Sequence, residues 1–233
     1  MKLLLKILLV IILIFSSIGI LILGEGYNMY KEALEETPLD EKVEEIKSKE
    51  NYVKLSELPK TYLDAVVSVE DHRFYKHSGI DIIAIGRAVI NNIKAMDFVE
   101  GGSTITQQLA KNVYFTQKKE IKRKVAEVFM AWKIEDNYSK DEILELYINT
   151  MYFGNGYYNV KDACEGYFDK SPLEMTDGEC IMLAGIPNAP SVYNPKENPD
   201  LAKQRQRQVA DKMLEYGYLS EEELDEILKE SDN

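Results

Sequence analysis

The sequence predicts an all-α protein, a helical domain of about 180 residues carried behind one apolar helical span. Three observations carry that expectation. An apolar run, LLLKILLVIILIFSSIGILIL, fills residues 3–23 with a single lysine inside it. Beyond Pro59 the apolar residues recur three and four positions apart rather than alternating. Two segments open with a hydroxyl residue followed three positions later by Gln or Glu, at Thr104 with Gln107 and at Ser139 with Glu142. Neither βαβ alternation nor an internal repeat interrupts this pattern.

The apolar run comes first. About 20 residues at 1.5 Å each cross a ~30 Å hydrocarbon core, and Lys6 lies within snorkelling reach of the headgroups. The run outlasts the 7–15 residues of a signal-peptide core and leaves through Gly24-Glu25-Gly26 without a small-x-small cleavage pattern. It reads as an uncleaved transmembrane anchor. Lys2 and Lys6 precede it, whereas residues 25–50 carry nine acids and four lysines, so positive-inside counting puts the N-terminus in the cytoplasm and the domain outside. Residues 1–24 form tip and anchor, residues 25–50 an acidic solvated stalk interrupted at Pro38, and residues 51–233 the domain.

Leu63, Val66, Val67 and Glu70 share one face of a helix that ends at the polar run Glu70-Asp71-His72-Arg73. Residues 81–94 make a second helix with Arg87 among aliphatics, and a third starts at Thr104. Residues 119–137 make a long helix with Ile121, Val125, Val128, Phe129 and Trp132 as its core stripe. The helix from Ser139 buries Ile143, Leu146 and Tyr147, and segments at 177–186, 200–215 and 220–229 complete the set, with irregular Gly/Asn/Tyr-rich stretches such as 151–160 between.

The net charge of −12 argues against nucleic acid as a partner. Two cysteines, Cys164 and Cys180, make no disulfide framework. Three polar clusters remain. In residues 70–79, EDHRFYKHSG, both histidines stand five apart, which does not match the i,i+4 spacing of helical zinc ligands. General acid–base chemistry suits it better, with Glu70 at a helix end and following aromatics to shield it and raise its pKa. The plainer alternative has Glu70 and Asp71 paired with Arg73 and Lys76. Residues 101–112, GGSTITQQLAKN, place five uncharged hydrogen-bonding side chains on an opening turn, where outward N–H groups suit an anion or a sugar hydroxyl. In residues 118–127, KKEIKRKVAE, cations surround Glu127; the pairs Glu120 with Lys124 and Arg123 with Glu127 make either a salt-bridged face or a diphosphate tether.

Taken together these segments resemble the peptidoglycan glycosyltransferases, in their stand-alone form rather than joined to a transpeptidase. The resemblance rests on Glu70, Asp71, Phe74, His77 and Gly79; on residues 101–112; on Arg123, Lys124 and Glu127; on residues 140–154, through Glu142, Glu145, Tyr147, Asn149 and Gly154; and on AGIPNAP at 184–190 with Tyr193-Asn194-Pro195. It implies a lysozyme-like α-helical domain with a large lobe holding the cleft and a small membrane-proximal lobe. It implies polymerisation of lipid II into β-1,4 glycan chains with release of undecaprenyl pyrophosphate, at the bacterial plasma membrane and alongside other cell-wall synthesis proteins. Glu70 is then the general base, and Glu127 the second motif glutamate that organises cations. Lys111, Lys119, Arg123, Lys124, Arg87, Ser103, Thr104, Gln107, Gln108 and Asn112 become residues that bind the donor pyrophosphate or the substrate, supported by Asp71, Phe74, His77, Gly79, Gly101, Gly102 and Asn149. Relatives often carry arginine where this chain has Lys119, which keeps the charge but not the bidentate fork. No cofactor is required; a divalent cation such as Mg or Mn at the pyrophosphate is compatible, with no fixed metal ligands. A lysozyme-like hydrolase, which would also use two carboxylates in a helical cleft, and an anchored non-enzymatic scaffold are the competing readings.

Overall fold

A computed structural model describes residues 2–97, 101–115 and 120–231. Among them are eleven α-helices, four short 3-10 turns and no strand beyond two isolated bridges. The all-α expectation is met. Lys119, one of the expected cationic residues, lies outside the described residues.

The first helix, α1 (Lys2–Glu36), is unbroken over 35 residues. Its apolar portion is wholly unpacked against the rest of the chain, with a mean hydropathy of 3.1 in its most apolar window. Among the described residues it alone is long and apolar enough to cross a membrane. At 1.5 Å per residue its ~50 Å length exceeds the hydrocarbon core, so the last turns stand clear of a bilayer.

The solvated stalk is a correction. After Pro38, α2 (Leu39–Lys47) buries Leu39, Val43 and Ile46 against Leu109, Ile134 and Leu146 of the domain. The acids that dominate this stretch occupy the outward face, while three aliphatics at i, i+4 and i+7 supply the inward one. Composition averages over both faces and so misreads an amphipathic helix as a tether.

Next come α3 (Lys60–Glu70), α4 (Ile82–Ala95), α5 (Ile105–Tyr114) and α6 (Ile121–Glu135). Thr104 and Ser139 cap α5 and α7 (Lys140–Ile148) with the reciprocal Gln107 and Glu142 bonds their spacing predicts. The helix α8 (Val160–Phe168), capped by Asn159, was not anticipated in the sequence. The fold closes with α9 (Asp177–Gly185), α10 (Pro199–Glu215) and α11 (Glu221–Ser231).

The core is a mutual packing of α3, α9 and α10, with α5 wedged between α6 and α7. Tyr62, Phe74, Ile105, Met130, Tyr147 and Phe153 are fully enclosed in it. Cys164 and Cys180 are free and buried, and burial pushes the Cys180 thiol up to about 12, so neither is a reactive thiolate.

The stripe expected to face the core from α6 points the other way. Ile121 is 70 % exposed and Trp132 41 %, while Arg123, Ala126, Glu127, Met130, Ala131 and Ile134 face inward. The apolar face of α6 instead meets α1, where Phe129 packs edge-on to Tyr27 at 5.2 Å. The anchor supplies the cover that periodicity had assigned to the domain's own core.

Candidate active site

A cleft of about 740 Å³ opens between the end of α3, one face of α4, the glycine segment entering α5 and the inner side of α10. Glu70 is the last helical residue of α3, because Asp71 leaves helical geometry at φ −160°, ψ 75°. That break aims the carboxylate into the cleft rather than along the helix. Gln108 Nε2 donates to Glu70 Oε2 at 2.7 Å, and Tyr147 Oη donates to Gln108 Oε1 at 3.1 Å. The tyrosine thereby fixes which end of the amide faces Glu70.

Burial pushes the Glu70 carboxyl above the ordinary glutamate range. The Gln108 hydrogen bond and the charges of Arg205 and Lys111 pull it back, and Asp71 adds a smaller rise. The shielding expected from the aromatics that follow it in sequence comes from elsewhere: Phe74 is buried against Tyr75 and beneath Lys140, and Tyr75 is exposed.

Asp71 and its neighbours are bound up differently from the ion pairs set out above. His77 Nε2 donates to Asp71 at 2.9 Å, the Ile105 amide donates to Asp71 Oδ2 at 3.1 Å, and Arg73 pairs with Asp81. Asp71 and His77 therefore join the α3 exit to the start of α5. Gly79 belongs to the same join: its φ of +76° suits glycine, and its carbonyl accepts from Thr104 Oγ1 at 2.6 Å.

The open helix N-terminus is a further correction. Of the α5 donors, Ile105 N is held by Asp71 and Gln107 N by Thr104, while Gln107 Oε1 accepts from Thr104 N. Thr106, fully buried, donates to Glu135. Thr104 and Gln107 thus spend their polar groups on capping, although Gly101, Gly102, Ser103 and Thr104 still wall the cleft. Asn149 bonds both polar groups of Val53, a fold-holding task.

The cationic helix face keeps one of the two pairs its spacing predicts: Arg123 meets Glu127, but Lys124 turns to Glu127 instead of Glu120, which meets Lys122 at 3.6 Å. Glu127 is wholly buried, Arg123 Nη1 bonds its Oε1, and Lys124 Nζ sits 2.7 Å from Oε2. Lys124 also donates to Ser103 Oγ at 2.7 Å, which connects this helix to the cleft wall. Lys111 on α5 feels the charges of both Glu127 and Glu70, and burial lowers its pKa. Asn112, beside it in α5, is half-buried. Arg87 lines the opposite wall, donating to His72 Nε2 at 3.4 Å, and His72 stacks on Tyr216 with centroids 4.1 Å apart.

Residues from α10 complete the cleft and were missed in the sequence. Arg205, Gln208, Lys212 and Glu215 line it, together with Tyr216 at the cap that ends the helix. Gly185 of α9 makes room for the first, since a Cβ there would lie 2.8 Å from Arg205 Cγ. The guanidinium donates to the Gly185 carbonyl and lies 5.6 Å from the Tyr193 ring. Its spacing with Gln208, Lys212 and Glu215 follows one helix face, a polar stripe that could have been noticed.

For a divalent cation, Asp71, His77 and Asp81 place ligand atoms within 4.8 Å of one another. Those atoms are already engaged, by one another, by Arg73 and by the first amides of α4 and α5. At the cationic cluster the carboxylate present, Glu127, is matched by Arg123 and Lys124. Neither set fits a resident divalent ion.

Compared with known proteins, residues 37–214 match the family described as Transglycosylase, from α2 through all but the last residue of α10. The chain belongs to this transglycosylase family. It is 45 % identical over 179 residues to penicillin-binding protein 1A of Neisseria flavescens, covering 77 % of this chain and 22 % of that protein. It is 47 % identical over 171 residues to penicillin-binding protein 1F of Bacillus subtilis, covering 73 % and 24 %. A crystal structure of penicillin-binding protein 1A from Haemophilus influenzae aligns over 77 % of this chain and 17 % of its own at 26 % identity, with a TM-score of 0.46. The chain thus spans about a quarter or less of the relatives it matches. Every cleft residue of this transglycosylase except Glu215 and Tyr216 falls inside the matched segment.

Proposed function

We propose that this transglycosylase polymerises lipid II, joining its disaccharide into β-1,4 glycan chains and releasing undecaprenyl pyrophosphate. The observation that carries the reading is the placement of Glu70. Its proton affinity is raised by burial, its orientation is set by the Tyr147–Gln108 relay, and Lys111 links it electrostatically to the Arg123–Lys124–Glu127 cluster.

The donor carries a good leaving group, so the harder task is to activate a weakly acidic sugar hydroxyl. Glu70 takes the hydroxyl proton as the oxygen attacks the anomeric carbon. The bond from that carbon to the phosphate oxygen breaks, and its electron pair leaves with the pyrophosphate. Attack opposite the leaving group turns an α-linked donor into a β product. Lys111, Arg123 and Lys124 compensate the developing charge, with Lys119 as a further candidate. Arg87 and Arg205 line the cleft beside Glu70 and offer further positive charge to the substrate. Glu127 keeps the cations in register.

The anchor places this chemistry at bilayer level, with the N-terminus cytoplasmic and the cleft outside. On α4, Ile82, Ile83, Ile90 and Ile93 are exposed, with Ile82 and Ile93 turned away from the cleft-lining Ala84, Arg87 and Asn91, a face suited to the interface from which a polyprenyl donor must be drawn.

The test is purified full-length protein given lipid II or finished glycan, with and without EDTA, scored for polymer against free disaccharide. Polymer formation that is lost in Glu70→Gln supports the reading. Release of disaccharide from finished glycan identifies a hydrolase, and no turnover of either substrate points to a scaffold. Loss of polymer in EDTA overturns the assignment of charge compensation to side chains.

A further inference from the structure

The three glycines of α1 do different things. A Cβ at Gly19 or Gly24 would meet nothing within 4 Å, whereas one at Gly26 would lie 2.5 Å from Val125 Cβ, 2.6 Å from Val125 Cγ1 and 2.8 Å from the Lys122 carbonyl oxygen. Gly26 is buried between exposed neighbours, Glu25 and Tyr27. A flexible side-chain tip could move aside, but a β-branched stem and a helix carbonyl cannot. The contact is thus backbone against backbone, the close crossing that glycine permits between helices.

The next turns of α1 extend the seam. Tyr27 and Tyr30 lie 5.2 and 5.9 Å from Phe129, which meets Trp132 at 5.7 Å. Farther along, Met29, Ala33 and Glu36 share a surface pocket with Arg123 itself. The residues that Gly26 touches bracket Arg123 and Lys124, the two cations that hold Glu127 and reach Ser103 at the cleft wall. No other element covers the outer face of α6 as extensively as α1 does.

We propose that the anchor helix is part of the active-site scaffold, and that Gly26 is a positioning residue setting where α6 holds Arg123, Lys124 and Glu127 relative to Glu70. The anchor then does more than retain the protein at the membrane: it sets the height and rotation of the cation-bearing helix. A displacement of about 1 Å in a catalytic array costs on the order of 100-fold in rate, and a side chain at Gly26 demands a shift of that order. This proposal rests on the glycosyl-transfer reading for its kinetic consequence, but not for its structural one.

The experiment uses the full-length protein in vesicles of phosphatidylglycerol and phosphatidylethanolamine. Gly26→Leu is compared with Gly24→Leu, which adds the same bulk to the anchor in open space. The expected result is a 10- to 100-fold fall in kcat/KM for lipid II in Gly26→Leu, with membrane insertion intact and the acid limb of the pH profile unmoved, because Glu70 keeps its own surroundings. Gly24→Leu stays within twofold of the parent. Hydrogen exchange of residues 121–130 rises at least fivefold in Gly26→Leu alone, while α9 and α10 exchange as before. Should Gly26→Leu fail to fold, Gly26→Ala is read with the exchange Gly26→Ala/Val125→Gly, which removes the two closest contacts and is expected to restore most of the lost activity. Parent-like kinetics and exchange in Gly26→Leu, an equal loss in Gly24→Leu, or no recovery in the exchanged pair overturns the proposal. If the parent does not polymerise lipid II while residues 121–130 still loosen, the functional reading fails and the scaffold stands.

Discussion

Glu127→Gln is expected to lower stability far more than the loss of a surface charge. Glu127 has no exposed surface, and its partner Arg123 is 8 % exposed. The Lys124 side chain is 48 % exposed and can turn toward water when the carboxylate is neutralised. Arg123, 8 % exposed at the edge of a surface pocket, has little room to turn and loses its Glu127 carboxylate there. Breaking a buried pair from one side costs about 3–5 kcal/mol, against about 1 kcal/mol or less for an exposed pair. At roughly 2–4 °C per kcal/mol for a domain of this size, Tm falls by about 6–20 °C. Thermal unfolding in detergent, followed by the single tryptophan Trp132 on α6, reads the effect where it arises. The paired variant Arg123→Met/Glu127→Leu removes both charges and is expected to regain most of the lost Tm while lipid II polymerisation stays absent. A Tm change below about 2 °C in Glu127→Gln, or a paired variant melting as low as the single one, would refute the account of this cluster.

Other expectations follow from the same geometry. Glu70→Gln folds and loses about 10²–10⁴-fold in turnover, the usual worth of a general base; near-normal turnover rejects Glu70 in that role. The folded-state pKa of Glu70 lies above its unfolded value, so its contribution to stability is present below the unfolded pKa and is lost as pH rises through the folded one. Glu70→Gln should therefore match the parent at low pH and melt at or above it near pH 8; a variant that melts lower only at high pH contradicts this sign. Arg205 favours the ionised form of Glu70, so Arg205→Ala moves the acid limb of kcat/KM to higher pH, with activity recovering as pH rises; a uniform loss at every pH assigns Arg205 to binding alone. Ile82→Ser with Ile93→Ser, both at exposed positions turned away from the cleft, should leave melting in detergent unchanged and raise KM for lipid II in vesicles severalfold; an unchanged KM removes α4 from the membrane interface.

The catalytic candidate and its cations were legible along the chain because each lies in a short, locally ordered stretch. Glu70 ends a helix whose apolar spacing is visible, Thr104 with Gln107 announces the start of α5, and Arg123 with Glu127 is an i,i+4 pair. What local pattern could not supply was the direction each stretch faces. Apolar residues usually face a core, which points the α6 stripe inward, yet its cover is α1. Thr106 and Gln107 looked available for substrate because their partners, Glu135 and the Thr104 backbone, are settled only when the helices are assembled. Arg205 lies 135 positions from Glu70, and nothing in either segment names the other.

A long apolar helix ahead of an all-α domain, and the places where most of its helices begin, follow from local pattern, since helix periodicity and capping are set by residues within four positions of one another. The motifs along residues 70–127 likewise single out Glu70, Lys111, Arg123 and Glu127. The three-dimensional packing decided that α2 belongs to the core and that α10 forms a wall of the cleft. It also decided that the anchor packs on the helix carrying the cations. Those are contacts between surfaces far apart in the chain, chosen by shape and burial, and periodicity within one helix holds no information about which other helix will cover it.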